Sequence, residues 1–211
     1  MRSRRSPLLP WGPGISLVSD CAGQGSVPQA LAHLGIQVRV AVATELDPNK
    51  RALLKVVHES IGCKVDRMMA DVHEHLEFLR GCKASSWSTP DIFEAGYPCQ
   101  SFTRSGLKKG IEDCRGQVWL AGLENISRTQ ARAFVLEQVP DIESDIKFRP
   151  MFLRSLDVLR AAGYQVDYKI METSRNGLPQ HRRRLYVLGV RTDVKMILGS
   201  TDWYSVAVLR I

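Results

Sequence analysis

The chain has 211 residues, 44% of them hydrophobic and 24% charged, which is typical of one globular domain with a sizeable core. No apolar run approaches the roughly 20 residues of a membrane helix. The net charge of +7 is compatible with a nucleic-acid partner. The five cysteines include no Cys-x-x-Cys pair, which disfavours a disulfide framework or zinc ribbon and favours a reducing compartment. Residues 1–14 are basic and rich in proline, and we expect a flexible leader there without a signal peptide.

Strand and helix patterns alternate along the rest of the chain. Short apolar or β-branched runs predict strands at 15–19, 38–46, 65–70, 91–95, 133–139, 164–171 and 184–190. Helical spacing of apolar residues predicts helices at 27–34, 48–61, 72–79, 118–126 and 148–162. Asp47-Pro48 is a helix-start signal and Gly163 a helix stop. This alternation predicts a doubly wound α/β sheet, whose ligands bind at the carboxyl ends of the strands.

A glycine-containing turn, residues 20–26 (DCAGQGS), follows the first predicted strand. Glycines let the backbone turn tightly and approach a ligand closely. Glu45 ends the second strand, where a carboxylate can bind ribose hydroxyls, and Asp71 ends the third, within reach of an adenine. A simple turn would explain the glycines almost as well. A nicotinamide cofactor is disfavoured because Pro28 stands where that fingerprint needs its third glycine, whereas S-adenosylmethionine has no pyrophosphate and needs no such glycine.

Cys99 lies behind a proline at the end of the predicted strand 91–95, in a polar loop. Most cysteines in a protein of this composition are packing residues. The polar neighbours and the cationic, glycine-rich loop at 106–116 instead favour a nucleophile, because nearby positive charge stabilises the thiolate. A loop of this kind is also suited to closing over a polyanion.

Two further motifs follow buried strand patterns. Glu137 ends the apolar strand 133–139, where a glutamate is rare unless it is paired or functional. An arginine partner would make it structural, whereas burial in the pocket of Cys99 would raise its pKa and make it a proton donor. Gln180, Arg182 and Arg184 alternate in an extended segment, so they share one face. We expect at least one arginine to point inward rather than into solvent.

Residues 71–75 (DVHEH) have the letters of a metal site. No further ligand is suitably spaced nearby, so a polar first helical turn is the better interpretation and no metal is predicted.

The order of these motifs resembles that of the DNA cytosine-5 methyltransferases. The similarity runs from about residue 15 to 191 and rests on residues 21–25 (CAGQG), 45–48 (ELDP), 70–72 (ADV), 98–100 (PCQ), 136–139 (LEQV) and 177–184 (GLPQHRRR). The resemblance implies the mixed, Rossmann-like sheet of S-adenosylmethionine-dependent methyltransferases. It also implies a DNA substrate, and a nuclear location in a eukaryote or a cytoplasmic one otherwise.

The resemblance also implies a role for each matching residue. Cys99 would add to carbon 6 of a flipped-out cytosine, Glu137 would hold or protonate N3, Arg184 would bind the base carbonyl and Arg182 would support the site. Implied cofactor contacts are Cys21, Ala22, Gly23, Gly25, Glu45, Leu46, Asp71, Val72, Pro98 and Val118. Implied nucleic-acid contacts are Gln100, Ser105, Lys108, Lys109, Arg115 and Gln180.

The chain departs from the family pattern at several positions. Cys21 replaces a phenylalanine, Tyr97 a proline, and Gln138 an asparagine that is expected to brace the nucleophile loop. We expect residues 15–192 to form the catalytic core and 193–211 to be a remnant, without the target-recognition domain and returning helix of the family. The core alone would then have weak or no turnover and an exposed apolar patch, and a second chain could supply the missing part.

Two other functions fit the sequence. The stretch 101–106 (SFTRSG) is similar to a loop of the family branch that methylates transfer RNA. A non-catalytic module that retains the fold is the other alternative.

Overall fold

The structure is a computed structural model that describes residues 14–82, 88–98, 102, 114–177 and 179–194. Within these residues no helix is long and apolar enough to cross a membrane. The strands are β1 (Ile15–Asp20), β2 (Val38–Thr44), β3 (Lys64–Val65), β4 (Met68–Met69), β5 (Ile92–Gly96), β6 (Ala133–Gln138), β7 (Tyr164–Glu172) and β8 (Arg183–Arg191). The helices are α1 (Ser26–His33), α2 (Pro48–Ser60), α3 (Val72–Gly81), α4 (Cys114–Thr129), α5 (Asp141–Ser144) and α6 (Arg149–Ala161).

The strands form one mixed sheet in the order β3-β2-β1-β5-β6-β8-β7, with β4 also paired to β2. Pairs along β3-β2-β1-β5-β6 are parallel, and β8 runs antiparallel to both neighbours. The chain therefore starts in the middle of the sheet, winds to one edge and returns to the other. This confirms the predicted doubly wound mixed α/β sheet.

One face of the sheet is covered by α4 and α6 over its central strands. Rows of side chains from β5, β6 and β8 pack under α4 and α6, with Phe93, Phe134 and Leu136 on the sheet and Trp119 and Phe152 on the helices. All five are at most 1% exposed. These strands alternate inward and outward residues, so the remaining residues of each strand face the other way.

The opposite face is covered over only part of its width. Leu17 and Val40 pack there with Leu54 of α2. Beyond β1, the side chains on this face are only partly buried, and they line up across β5, β6 and β8. We call these residues the open face: Ile92, Val135, Tyr186, Leu188 and Val190. The exposed apolar patch expected where an absent helix would pack stays a prediction.

Most element boundaries agree with the sequence patterns, with three differences. The predicted strand 65–70 is two short pieces, β3 and β4, because each pairs separately with β2. Helix α4 begins at Cys114 rather than near residue 118, and the four-residue α5 was not predicted. The predicted helix start is confirmed, since Asp47 accepts hydrogen bonds from the amides of Asn49 (2.8 Å) and Lys50 (3.4 Å).

Candidate active site

A cavity of about 380 Å³ lies on the open face at the carboxyl ends of β1, β5 and β6. Its walls are the turn after β1, the ends of β5 and β6, and side chains from β8 and the segment before it. The lining includes Cys21, Ala22, Gly23, Glu94, Gly96, Val135, Glu137, Arg182 and Tyr186. A wider depression of about 820 Å³ lies between α1 and the end of α2, away from these strand ends. Ligands of doubly wound sheets bind at carboxyl ends, so the smaller cavity is the candidate site.

The turn after β1 is held in shape by the end of β2. The backbone amide of Gly23 donates to Glu45 Oε2 (2.9 Å), and Glu45 Oε1 accepts from the amide of Asp47 (3.0 Å). Gly23 and Gly25 have φ values of 56° and 69°, a left-handed conformation that favours glycine. A Cβ at Gly25 would lie 2.7 Å from Leu54 Cδ1, so that glycine is required for packing against α2.

Glu45 therefore has a structural task besides the ribose binding predicted for it. A carboxylate has about four lone-pair positions, so two amide donors leave room for a ribose hydroxyl. Its 8% exposure shows that only one edge of the group can be reached from outside.

Cys21 has an unusual backbone for a non-glycine residue, with φ at 55°. Its amide donates to Thr44 Oγ1 (2.9 Å). Burial raises the pKa of the Cys21 thiol well above its usual range, and the negative charges of Asp20, Glu45 and Glu94 act in the same direction. The thiol therefore stays protonated at neutral pH and is unsuited to act as a nucleophile.

A buried polar network lies beneath this turn. Asp20, Thr44, His75 and Asn125 are all 0% exposed. Asp20 Oδ1 is 2.9 Å from His75 Nδ1 and accepts from Thr44 Oγ1 at 3.3 Å, and Asp20 Oδ2 accepts from Asn125 Nδ2 at 2.9 Å. The network ties the end of β1 to α3 and α4, which fixes the base of the cavity.

Glu137 and the arginine run meet in the cavity. Glu137 Oε1 is 2.7 Å from Arg184 Nε and 3.1 Å from Arg182 Nη2. A Cβ at Gly96 would lie 3.3 Å from Glu137 Oε2, so the carboxylate covers the end of β5, three residues before Cys99. Arg182 and Arg184 thus share a face, as their alternation predicts. The predicted inward arginine is Arg184, whose side chain is 24% exposed.

The arginine partner that the sequence suggested for Glu137 is present, and there are two: Arg182 and Arg184. The Glu137 side chain is 28% exposed, so its carboxylate is not enclosed in an apolar pocket. The pairs hold a carboxylate and two guanidinium groups at one wall of the cavity, where they can present both acceptors and donors to a polar ring.

The other predicted cofactor residues lie around the turn rather than in the cavity lining. Val72 and Val118 form an apolar cluster with Cys21 and Ala121, which links the turn to α3 and α4. Asp71 Oδ1 caps α3 by accepting from the amides of His73 (2.7 Å) and Glu74 (2.9 Å). Leu46 is 73% exposed next to Glu45, and Pro98 is partly buried after β5. Gln180, a predicted nucleic-acid contact, is exposed before β8.

Several predicted residues lie outside the described part of the chain. They are Cys99, Gln100, Ser105, Lys108 and Lys109, together with the side chain of Arg115. Their assignments therefore stay predictions.

Gln138, which replaces the expected asparagine, is 1% exposed. Its Oε1 accepts from the amide of Val139 (2.9 Å), and its Nε2 is buried without a partner among the described residues. A buried amide donor of this kind is costly unless it finds an acceptor. The nucleophile loop that this position is expected to brace lies outside the described residues, so the bracing role stays a prediction.

Glu94 also belongs to the site, although it is not among the residues predicted from the sequence. It lies in β5, where its carboxylate accepts a hydrogen bond from Ser19 Oγ and lines the cavity. Burial raises the pKa of Glu94 to about 7; the negative charge of Asp20 adds to this effect, and the Ser19 hydrogen bond opposes it. The signal was present in the sequence, since a glutamate inside an apolar strand is as unusual as Glu137 at the end of one.

Residues 15–205 match the family model described as C-5 cytosine-specific DNA methylase. The chain is 26% identical over 191 residues to the orphan methyltransferase M.SPRI of Bacillus phage SPR, covering 90% of this chain and 40% of that protein. It is 40% identical over 101 residues to the type II methyltransferase M.HpaII of Haemophilus parainfluenzae, covering 47% of this chain and 28% of that protein.

Among solved structures, the Dnmt2 methyltransferase of S. pombe matches with a TM-score of 0.60 and 19% identity, covering 86% of this chain and 51% of that one. This likeness is one of fold. The chain thus spans about half or less of the length of these relatives. Because the family model covers almost the whole chain, the protein belongs to the C-5 cytosine-specific DNA methylase family.

Proposed function

We propose that this chain carries the catalytic core for transfer of a methyl group from S-adenosylmethionine to carbon 5 of cytosine in DNA. The observation that carries the proposal is that Glu137 and Arg182 line one cavity together with the turn after β1, and that Arg184 pairs with Glu137. A nucleoside cofactor and a polar ring need neighbouring sites for this reaction, and the cavity joins the residues expected for both.

The residues around the turn fit S-adenosylmethionine by their chemistry. Carboxylates at Glu45 and Asp71 suit hydroxyl and amino groups, and the cluster of Cys21, Val72 and Val118 suits an adenine face. The bound cofactor would supply an electrophilic methyl group on a positively charged sulfur. These residues would hold it, and Gly23 and Ala22 would let it approach the backbone closely.

Cys99 would be the nucleophile. Carbon 5 of cytosine is too electron-poor to attack a methyl donor, and addition of a thiolate at carbon 6 makes it nucleophilic. Glu137, braced by two arginines, would contact N3, while Arg184 would turn a guanidinium N–H toward the base carbonyl. Once carbon 5 had taken the methyl group from the sulfur of the donor, loss of the carbon 5 proton would allow Cys99 to leave and would restore the aromatic ring.

The DNA contacts would come from the cationic loop after Cys99. Lys108, Lys109 and Arg115 would bind phosphates, so affinity should fall with added salt. The base must leave the helix to reach the cavity, and Gln100, Ser105 and Gln180 would contact the displaced nucleotide or its surroundings.

We further propose that efficient turnover needs additional polypeptide, in the same chain or in a second one. The open face leaves Val135, Leu188 and Val190 partly exposed beside the cavity. Apolar surface of this kind next to a site commonly marks a place where another segment packs.

The test offers DNA and transfer RNA side by side to the purified protein with radiolabelled S-adenosylmethionine. We expect label in DNA, at carbon 5 of cytosine, with a rate that falls as salt is added. Label found only in transfer RNA would show that the substrate is transfer RNA rather than DNA. Failure to bind S-adenosylmethionine, together with no label in either nucleic acid, would favour a non-catalytic module and contradict the proposal.

A further inference from the structure

Glu94 occupies the strand between the two halves of the cavity. In the sheet order, β5 lies between β1, which leads into the turn, and β6, which carries Glu137. Ser19, Glu94 and Val135 stand side by side in one row across β1, β5 and β6. A donor held by the turn and a base held near Glu137 must meet above this strand, so the reacting end of the donor comes close to Glu94.

The side chain leans toward the cofactor half of the cavity. Its Oε1 accepts a hydrogen bond from Ser19 Oγ on β1, whereas the carboxylate of Glu137 on β6 is paired with two arginines. Glu94 is therefore oriented by the strand that leads into the cofactor turn.

The charged groups around Glu94, as far as the structure describes the chain, include no cation paired with it. Asp20 and Cys21 act on it from the end of β1 and Tyr97 from the residue after β5, and Glu137 and Arg182 line the same cavity. Among the described residues no lysine, arginine or histidine forms an ion pair with Glu94, because Arg182 and Arg184 bind Glu137. A partly buried carboxylate without a cation is costly, so the cavity favours a positively charged ligand at this point.

We propose that Glu94 is a specificity-determining residue of the cofactor site, which favours the positively charged sulfonium of the methyl donor over the neutral thioether left after transfer. This inference rests on the proposed function, because it assumes that S-adenosylmethionine is the donor. It assigns to Glu94 a selectivity that neither Glu45 nor Asp71 can supply, since hydroxyl and adenine groups are identical in donor and product.

The ionisation of Glu94 adds a second property. Its pKa of about 7 means that the carboxyl group can gain or lose a proton near neutral pH. A cation nearby would favour the ionised form, so donor binding should release a proton to solvent. When the neutral thioether is bound instead, the carboxylate of Glu94 can take up a proton again. The protonated form avoids a buried charge without a partner.

The test measures dissociation constants of S-adenosylmethionine and S-adenosylhomocysteine by calorimetry, for the wild type, Glu94→Gln and the control Glu59→Gln. Glu59 is an exposed glutamate on α2, away from the cavity. The amide oxygen introduced by Glu94→Gln can still accept the Ser19 hydrogen bond, so the substitution mainly removes the charge. Near-identical circular dichroism spectra and cooperative melting would show that the variants are folded.

We expect the wild type and Glu59→Gln to prefer the donor over the product, with donor affinity rising between about pH 6 and about pH 8. In Glu94→Gln the preference should fall about tenfold and the pH dependence should flatten. An unchanged ratio would overturn the role of Glu94 while leaving the proposed function intact. An equal loss of affinity for both ligands would show that Glu94 contacts the ammonium group that they share. That result would overturn the sulfonium contact. Binding of neither ligand by the wild type would overturn the proposed function and this inference together.

Discussion

Glu94 and Glu137 show how two glutamates on neighbouring strands can differ in charge environment. Glu137 is paired with two guanidinium groups, and Glu94 has a hydroxyl donor and a buried aspartate beside it. Glu137 thus has two cationic partners, whereas burial raises the pKa of Glu94.

This difference leads to a prediction about pH and stability. The pKa of Glu94 rises from 4.5 to about 7 in the folded protein, so the folded state binds more protons than the unfolded state between these values. Stability should therefore fall as pH rises from about 4.5 to about 7 and stay lower above it. Glu94→Gln, which cannot ionise, should raise the free energy of unfolding by about 1 to 3 kcal/mol at about pH 8 and leave it nearly unchanged at about pH 4.

Urea denaturation of wild type, Glu94→Gln and Glu59→Gln at both pH values would measure this. A gain for Glu94→Gln that is equal at both pH values would point to packing rather than ionisation. The control should show no gain at either pH, because its side chain is exposed.

At the level of single residues, the sequence was informative where a local rule applied. The alternation of Arg182 and Arg184 predicts that they share a face, and both bind Glu137. The environment of Glu94 depends on Ser19 and Asp20, which are distant in sequence and become neighbours only when β1 pairs with β5. Such long-range neighbours are not visible in local patterns.

The elements β1, α3 and α4 are joined by the network of Asp20, His75 and Asn125 beneath the cofactor turn. Asn125 Nδ2 also donates to the carbonyl of Val72 (3.2 Å) at the start of α3. The side-chain amide of Asn125 therefore connects the last residue of β1, Asp20, to the first residue of α3, Val72.

Asn125→Ala removes that amide and leaves Asp20 Oδ2 buried without its donor. We expect a loss of about 1 to 3 kcal/mol in the free energy of unfolding, because Asp20 Oδ2 and the Val72 carbonyl lose a buried donor while Asp20 Oδ1 keeps its contacts with Thr44 and His75. Urea denaturation measures the loss, with the exposed Asn49→Ala on α2 as the control. A loss below about 0.5 kcal/mol would show that the network does not connect these elements energetically.

At the level of elements, the long strands and helices were predictable because their apolar spacing extends over several turns or pleats. Helix α6 is an example, with Phe152, Leu156 and Leu159 buried on one side. The separation of β3 from β4 was not predictable, because two-residue strands are defined by their pairing with β2 rather than by their own pattern.

For the whole molecule, the order of alternating elements was sufficient to predict a doubly wound sheet, and the order of motifs predicted the family. The open face required the structure, because Val135, Leu188 and Val190 look like ordinary strand residues in the sequence. Their partial exposure depends on which helices cover which part of the sheet.

The central claim is that Cys99 attacks a cytosine whose ring is held by Glu137 and Arg184. Covalent trapping on an oligonucleotide that contains 5-fluorocytosine, with S-adenosylmethionine present, tests it most directly. Fluorine blocks the loss of a proton from carbon 5, so an active thiolate stays attached after a single turnover, even if the chain turns over slowly.

We expect a denaturation-resistant adduct with the wild type and with Cys82→Ala, whose cysteine lies at the end of α3, and none with Cys99→Ala. The absence of an adduct from the folded wild type, or an adduct that persists in Cys99→Ala, would contradict the account.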